Sequence, residues 1–355
     1  MNQVKVVIDT SVLRRPHTGT ARWVTGLVDA LSEIPTLAVQ VAPGPHRLGN
    51  GLFFRPANLT RQRWWYDHGI RRFAGEHGAD ALLMPSGYSA RRGGIPQLVS
   101  ILDVNFLTSP GTYESLFTRY AAWAMKRSAH AADRLVTISE FSRTEISRHF
   151  AVDPERISVV YPGLNPPRDV TRPSPLDVPY ALYVGATEPS KNLGVLLDAW
   201  SDSSPAGLAM VVVGQPGRYH RTLQRRASTM GGRVIVRGRV DQNELDAWYR
   251  GAAIFLFPSL TEGFGYPPLE AMQRSVPVIS SNCTCLPEVL GDAALYHDPD
   301  DPLALREQVE RLMGDEALRR RQVALGVAQA AKYRWQTTGK QIAQLLASMV
   351  DGNGR

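Results

Sequence analysis

The sequence has little cysteine and no long apolar run, and each shortage removes a class of protein. Its 355 residues include two cysteines, Cys283 and Cys285, one residue apart and with no histidine near them in sequence. A disulfide across that spacing is strained, and such a thiol pair is not a zinc site. Small buried side chains in a reduced compartment are the expected state. No stretch of about 18 apolar residues occurs, so no transmembrane helix is expected. The N-terminal MNQVKVVID has no basic segment followed by an apolar one and reads directly as a first strand, which points to the cytoplasm. No Gly-x-Gly-x-x-Gly follows a strand early in either half, which disfavours a nicotinamide dehydrogenase. No lysine is set up for pyridoxal phosphate, which disfavours a phosphorylase.

What is present is charge of one sign in one half. The formal net charge is +7, and residues 1–165 hold 19 Lys/Arg against 13 Asp/Glu, a balance of +6. A basic N-terminal half suits a phosphorylated acceptor or an anionic membrane surface, reached peripherally from the inner face. Nucleic acid is not expected, because no binding motif accompanies the charge. The arginine pairs Arg14-Arg15, Arg71-Arg72 and Arg91-Arg92 read as solvated loop and helix charges. Trp64-Trp65 read as core, with an exposed apolar pair as the competing reading.

Short apolar runs alternate with helical patterns, which predicts an α/β fold with mostly parallel sheets. In the first half Val4–Ile8, 82–84, 98–102 and 135–138 are expected strands. A helix carries Trp23, Leu27, Ala30, Leu31 and Ile34 at spacings of three and four. Residues 120–132 form an Ala-rich helix, and Ser142-x-x-Glu145 resembles a capping box opening the next. Five prolines among residues 166–179 exclude helix and central strand, and mark an interdomain linker. The pattern then restarts, with strands at 181–184, 208–213, 233–236, 254–258 and 277–280. Helices are expected from Leu193, over 242–250 and from Pro268. Two Rossmann-like domains facing across a cleft are therefore predicted, 1–165 and 180–334, with the linker at 166–179 between them. The amphipathic segment 335–355 is a final helix that can pack on either half.

Three places carry candidate chemistry. In EGFGYPPLE (262–270), Gly263 and Gly265 precede Pro267-Pro268 at a helix start, so the backbone can approach a ligand and helix amides can face a phosphate. Glu262 and Glu270 flank this loop. A capping role for Glu262 fails because glycines and prolines forbid a helix there, whereas a first-turn Glu270 is favoured in any helix. In the second place, a strand runs into Gly185 and then Lys191-Asn192 before a helix, and a lysine there suits a diphosphate. The alternative is an exposed loop charge; Walker spacing is missing. Third, Asp103 ends a strand of the first half, as a site carboxylate or a cap. Asp298-Pro299-Asp300 imitates a metal-binding Asp-x-Asp, but Asp301-Pro302 and a helical run follow, which is N-capping.

These motifs, with Thr18–Arg22, Ala132–Arg143, Val160–Gly163, Pro268–Met272 and Leu286–Val289, resemble family 4 of the retaining glycosyltransferases, of GT-B fold. The similarity spans nearly the whole chain, within the bacterial branch of polysaccharide-assembly mannosyltransferases. It implies that Lys191 neutralises the donor diphosphate and that Glu262 contacts the transferred sugar. Backbone at Gly263, Phe264 and Gly265 would surround sugar and phosphate, and Glu270 would hold the ribose hydroxyls. Gly185, Thr187 and Asn192 would complete the donor loop. Gly19 would let the first loop close on the diphosphate beside Arg22, with Asp103 on the acceptor side, so that 1–165 would bind the acceptor and 180–334 the nucleotide-sugar donor. The reaction would be front-face transfer with retention and without a metal.

Two positions depart from the family: Leu102 stands where many relatives have histidine, and Ala186 where many have arginine. The donor reading is GDP-mannose, with UDP-hexoses and dTDP-rhamnose as alternatives and base choice set near Gly238–Val240. The acceptor is a glycan, a lipid-linked oligosaccharide or a small molecule. A catalytically inactive sugar-nucleotide binder stays open.

Overall fold

The computed structural model describes residues 3–14, 19–45, 55–108, 115–168 and 174–353. Residues 15–18 of the first loop and 169–173 of the proline-rich stretch lie outside the described residues. The chain divides into two compact units, one of residues 1–163 with 334–355 and one of residues 164–333.

The first unit runs β1 (Val4–Asp9), α1 (Gly19–Ser32), β2 (Leu37–Ala42), α2 (Arg55–Trp64), α3 (Ile70–Glu76), β3 (Ala81–Met84) and β4 (Gln97–Ser100). It continues with α4 (Asn105–Thr108), α5 (Ser115–Ala131), β5 (Arg134–Thr137), α6 (Glu140–Phe150) and β6 (Ile157–Val159). Its strands form one sheet in the order β2-β1-β3-β4-β5-β6, with every pairing parallel. Every residue of β3 and β4 is buried, as a parallel strand covered on both faces requires, whereas the edge strand β2 is half-exposed.

The second unit runs β7 (Tyr180–Val184), α7 (Leu193–Ala199), β8 (Ala209–Val213), α8 (His220–Ser228), β9 (Val234–Gly238), α9 (Gln242–Gly251) and β10 (Ile254–Phe257). Then follow α10 (Tyr266–Gln273), β11 (Val278–Ser281), α11 (Leu286–Leu290), β12 (Ala294–His297), α12 (Pro302–Gly314) and α13 (Glu316–Ala330). Its sheet has the order β12-β11-β10-β7-β8-β9, again all parallel. In unit numbering that is 6-5-4-1-2-3, the doubly wound dinucleotide-fold order read from the other edge. Both units are therefore Rossmann-like. The described residues between Leu164 and Pro179 hold neither helix nor strand. The chain enters this unit at Leu164 and leaves it at Tyr333, and Leu164 N donates to Tyr333 O at 3.0 Å.

The last helix, α14 (Trp335–Asn353), belongs to the first unit. Trp335 packs on Trp23 with ring centroids 6.1 Å apart, and Thr338 Oγ1 donates to Tyr161 O at 2.8 Å. The helices approach closely because two glycines face the contact. A Cβ at Gly26 would lie 2.2 Å from the Trp335 ring, and one at Gly339 would lie 2.9 Å from Ala30 Cβ.

Two local readings are corrected. The cap of α6 is Ser139, not Ser142: Ser139 is extended, and its hydroxyl accepts from Ser142 N at 3.1 Å. Strand β5 ends at Thr137, so the helix can begin one turn earlier than the capping-box spacing suggested. The two tryptophans divide: Trp65 is buried and Trp64 is exposed. The helix is a π-turn over Trp65–Gly69, between α2 and α3. Trp65 Nε1 there donates to Asp9 Oδ1 at 3.1 Å.

Replacing Gly26 by Val forces branched carbons into the Trp335 ring. We expect a loss of about 1–3 kcal/mol of stability, seen as a lower urea midpoint of the transition that carries the first unit.

Candidate active site

In a doubly wound sheet the crossovers leave in opposite directions where strand order reverses, and ligands bind beyond the strand C-termini at that point. In the second unit the reversal falls between β7 and β10, which pair directly. The loops leaving these two strands carry Lys191 and Glu262. Residues Pro189–Lys191 form a 3-10 turn that Asn192, at φ 52°, hands over to α7. Leu260 N donates to Ser190 O at 2.9 Å and ties the loops together. Lys191 Nζ then meets Glu262 Oε1 at 2.6 Å, with side chains 23% and 14% exposed. This lysine is not a loose loop charge: its ammonium is held against the carboxylate.

Glu262 is bracketed from the loop after β11. Its N–H donates to Thr284 Oγ1 and its carbonyl accepts from Cys285 Sγ, both at 3.2 Å. Strand β11 pairs with β10, so its exit loop lies beside this one. Both cysteines are free thiols, and burial first, then Asp298 and Asp300, push the Cys283 thiol pKa up. Gly265, at φ 93°, caps α10, and a Cβ there would lie 2.9 Å from Leu286 Cδ2. Glycine answers both the backbone angle and the crowding. Gly263 is buried beside it. Phe264 is 2% exposed and packs edge-on against Tyr266 and Tyr333, so its side chain anchors the loop.

The same sheet carries a row of glycines at the exits of three strands. Gly185 and Gly214 directly follow β7 and β8, Gly238 ends β9, and the three lie in a row: Gly185 N donates to Val213 O and Gly214 N to Gly238 O. A Cβ on Gly214 would stand 1.8 Å from the Gly185 carbonyl oxygen, which cannot move aside. Thr187 is a brace. Its buried hydroxyl accepts from Gly217 N at 2.7 Å and lies 3.3 Å from His220 Nδ1. Asn192 Nδ2 donates to Pro299 O at 2.7 Å, so this side chain ties the loop to the segment before α12. There Asp298 Oδ1 accepts from Asp300 N, while Asp301 caps α12 through Leu303 N and Ala304 N. Tyr183 donates to Ala186 O at 3.1 Å. Burial first, and then the Glu262 carboxylate, raise its pKa well above the ordinary phenol value and keep it neutral.

Glu270 is held through a chain that no sequence pattern announced. Tyr249 Oη on α9 donates to Glu270 Oε2 at 3.0 Å, and the Arg274 guanidinium lies 5.0 Å from the Tyr249 ring centroid. Arg274 Nη1 donates to Glu270 O at 2.9 Å. Its Nη2 pairs with Asp246 Oδ1 at 2.5 Å, with side chains 7% and 0% exposed. The α9 pattern marks Tyr249 as a core residue; only the packing of α9 on α10 finds the use of its hydroxyl.

The remaining candidates belong to the first unit. Asp103 follows β4, is half-buried, and accepts from Asn105 N at 3.1 Å. Gly19 opens α1 with open space where a Cβ would be, and Arg22 lies one turn on, half-buried. Asp9 was not anticipated. It ends β1 fully buried, accepts from Trp65 and Ser11, and burial raises its pKa. Strand order in this sheet reverses between β1 and β3, so Asp9 stands at that switch point. Leu102 O accepts from Thr137 Oγ1 at 3.0 Å. Among the described residues, no group of three or more His, Cys, Asp or Glu is placed to hold a metal ion, and no helix is long and apolar enough to cross a membrane.

Comparison with known proteins gives the class. The architecture matches the sucrose-phosphate synthase of Thermosynechococcus elongatus with a TM-score of 0.75 at 17% identity, over 99% of this chain and 100% of that one. It also matches Anabaena Alr3699/HepE, solved in complex with UDP, with a TM-score of 0.72 at 16% identity, over 98% and 100%. The fold is that of the GT-B glycosyltransferases. Residues 178–315 match the family described as "Glycosyl transferases group 1", and residues 20–168 match "Glycosyltransferase Family 4". The "O-antigen chain mannosyltransferase B" of Escherichia coli is 33% identical over 256 residues, 67% of each chain. The chain spans 25% of the "Serotype-specific mannosyltransferase WbdA" of Escherichia coli, at 34% identity over 221 residues. This chain belongs to glycosyltransferase family 4, and it is a glycosyltransferase.

Asp246→Ala leaves the Arg274 charge buried beside Tyr249. A loss of about 3–5 kcal/mol is expected for such an orphaned partner. It should appear as a lower melting temperature, and donor KM should rise as Glu270 loses its support.

Proposed function

We propose that the chain transfers mannose from GDP-mannose to a hydroxyl of a glycan or lipid-linked acceptor, with retention and without a metal. The observation that carries the reading is the Lys191–Glu262 pair, 2.6 Å apart at the switch point of the second unit. Departure of a nucleoside diphosphate leaves negative charge on phosphate and positive charge on the sugar. An ammonium and a carboxylate side by side answer both. In the donor complex the ammonium turns from Glu262 to the diphosphate, and the freed carboxylate meets the sugar hydroxyls.

The other parts divide the donor among them. The backbone from Gly263 to Gly265 and the start of α10 face phosphate and sugar, where amides act as fixed donors. The side-chain-free row Gly185, Gly214 and Gly238 lets the nucleotide lie close to the sheet edge. Glu270, oriented by Tyr249, accepts from the ribose hydroxyls through charge-assisted bonds. The acceptor hydroxyl attacks the face the diphosphate leaves, and its proton passes to the departing phosphate oxygen. No protein base is then required, which suits a site where the central carboxylate pairs with a lysine. For Gly19, Arg22 and Asp103 the reading rests on the family resemblance, which assigns the first two to the phosphate and Asp103 to the acceptor. The mannose choice is supported by the O-antigen mannosyltransferase relative. A lipid-linked acceptor would hold the enzyme at the inner face of the membrane.

Thermal shifts with GDP-mannose, UDP-hexoses and dTDP-rhamnose test the donor. A ligand at 100 times its Kd stabilises by about 2.7 kcal/mol, and the reading predicts that GDP-mannose gives the largest shift. Nuclear magnetic resonance of the product's anomeric centre should show the donor's configuration, with the rate unchanged in EDTA. Lys191→Ala and Glu262→Ala should each lower kcat by about 10²–10³-fold. Activity at the wild-type level in both variants would sink the site assignment.

A further inference from the structure

The arginine pairs of the first half read as solvated charges, yet one member of each of two pairs converges on a cavity. This cavity of about 360 Å³ is lined by Arg71, Arg92, Gly93, Gln97, Asp133 and Arg156, with Ala131 and Ala132. It lies where β4 and β5 begin, at Gln97 and Arg134. That is the sheet edge opposite the strand C-termini that carry Asp9 and Asp103, so it is not part of the proposed transfer site.

The guanidiniums are fixed in place. Arg71 Nε donates to Arg91 O, Arg92 Nη2 to His130 O, and Arg156 Nη2 to Ala132 O at 2.6 Å. Arg71 Nη1 and Nη2 also donate to Ile95 O, each at 3.5 Å. A guanidinium has five N–H donors, so these bonds orient each group and still leave donors for a ligand. The one acidic side chain in the lining, Asp133, is engaged as well: its Oδ2 accepts from Gln97 N at 2.8 Å. Three arginines and one aspartate leave the lining at +2. Burial pushes the Arg71 pKa down, with Asp133 opposing, so its charged form lacks full compensation.

Gln97 adds an independent sign of a ligand. It is 1% exposed, and its Nε2 donates to Ala90 O and Ala131 O, which sets the amide's orientation. Its Oε1 has no hydrogen-bond partner among the described residues. A buried acceptor in an otherwise donor-rich cavity calls for one hydroxyl on the same ligand.

We propose that this cavity binds a phosphate group that carries or adjoins a hydroxyl. The three arginines take the charged oxygens by charge-assisted hydrogen bonds, and Gln97 Oε1 takes the hydroxyl. Two sources share that chemistry, a free phosphate or phosphate ester and a phosphatidylglycerol headgroup.

The test titrates the full chain with inorganic phosphate and glycerol phosphate by calorimetry. In parallel it is sedimented with phosphatidylglycerol vesicles, with phosphatidylcholine vesicles as the blank. Arg92→Gln, which changes an exposed side chain, and Gly93→Asp, which sets a carboxylate beside Arg71, are run beside wild type. Their melting temperatures are checked. Each variant should weaken binding about tenfold or more while the thermal shift with the sugar-nucleotide donor stays unchanged. Loss of soluble-phosphate binding in the variants assigns a free ligand; loss confined to vesicles assigns the headgroup. Binding that persists in both variants, or no binding in either arm, overturns the proposal.

Discussion

The constraint on which the site depends is the reversal of strand order in a parallel sheet. Right-handed crossovers allow a sheet to grow from its first strand in one direction and then in the other, and the two directions part at the C-terminal edge. In the second unit that parting is between β7 and β10. It brings Lys191 and Glu262, 71 residues apart, within 2.6 Å. Everything around them serves that approach. The Leu260–Ser190 bond joins the loops, Thr284 and Cys285 hold the Glu262 backbone, and Thr187 braces one loop on the next.

Two ion pairs of this unit differ in their physics. The Asp246–Arg274 pair is almost wholly buried, and its desolvation cost is offset by close geometry, by the bond to Glu270 O and by Arg250, whose Nε lies 2.9 Å from Asp246 Oδ2. It is a permanent joint between α9 and α10. The Lys191–Glu262 pair is partly open to solvent, and in the proposed function both partners turn to the donor when it binds. A joint that must be exchanged for ligand contacts cannot be as deeply buried as one that only supports. The two pairs thus separate the machinery from its mount within one Rossmann-like unit.

Much of this was legible in the residues. Val4–Ile8 and the strands after Pro179 read as buried runs because parallel strands are apolar on both faces, and the EGFGYPPLE loop announced itself through glycines and prolines that forbid helix. Local rules failed where two readings share one spacing. Ser139 and Ser142 can both cap α6, and only the end of β5 at Thr137 selects the first. Trp64 and Trp65 are adjacent and identical in type, and the π-turn over Trp65–Gly69 helps decide which faces Asp9. The cysteines read as inert, whereas Cys285 supports Glu262 because β11 happens to pair with β10. Arg71, Arg92 and Arg156 could not be grouped from sequence at all, since they come from a helix, a loop and a short turn.

By itself the sequence determined the α/β class, the two-part organisation and the family, and it singled out Glu262 and Lys191 as candidates. Each of those follows from local pattern: apolar periodicity, proline and glycine placement, and motif order. Only the tertiary structure decided which residues meet. It paired Lys191 with Glu262, set Tyr249 on Glu270, aligned Gly185, Gly214 and Gly238 into a row and returned α14 to the first unit. The physical reason is that strand order, register and helix packing are set by the burial of the whole sheet. Contacts among exit loops follow from that order and not from the loops' own residues.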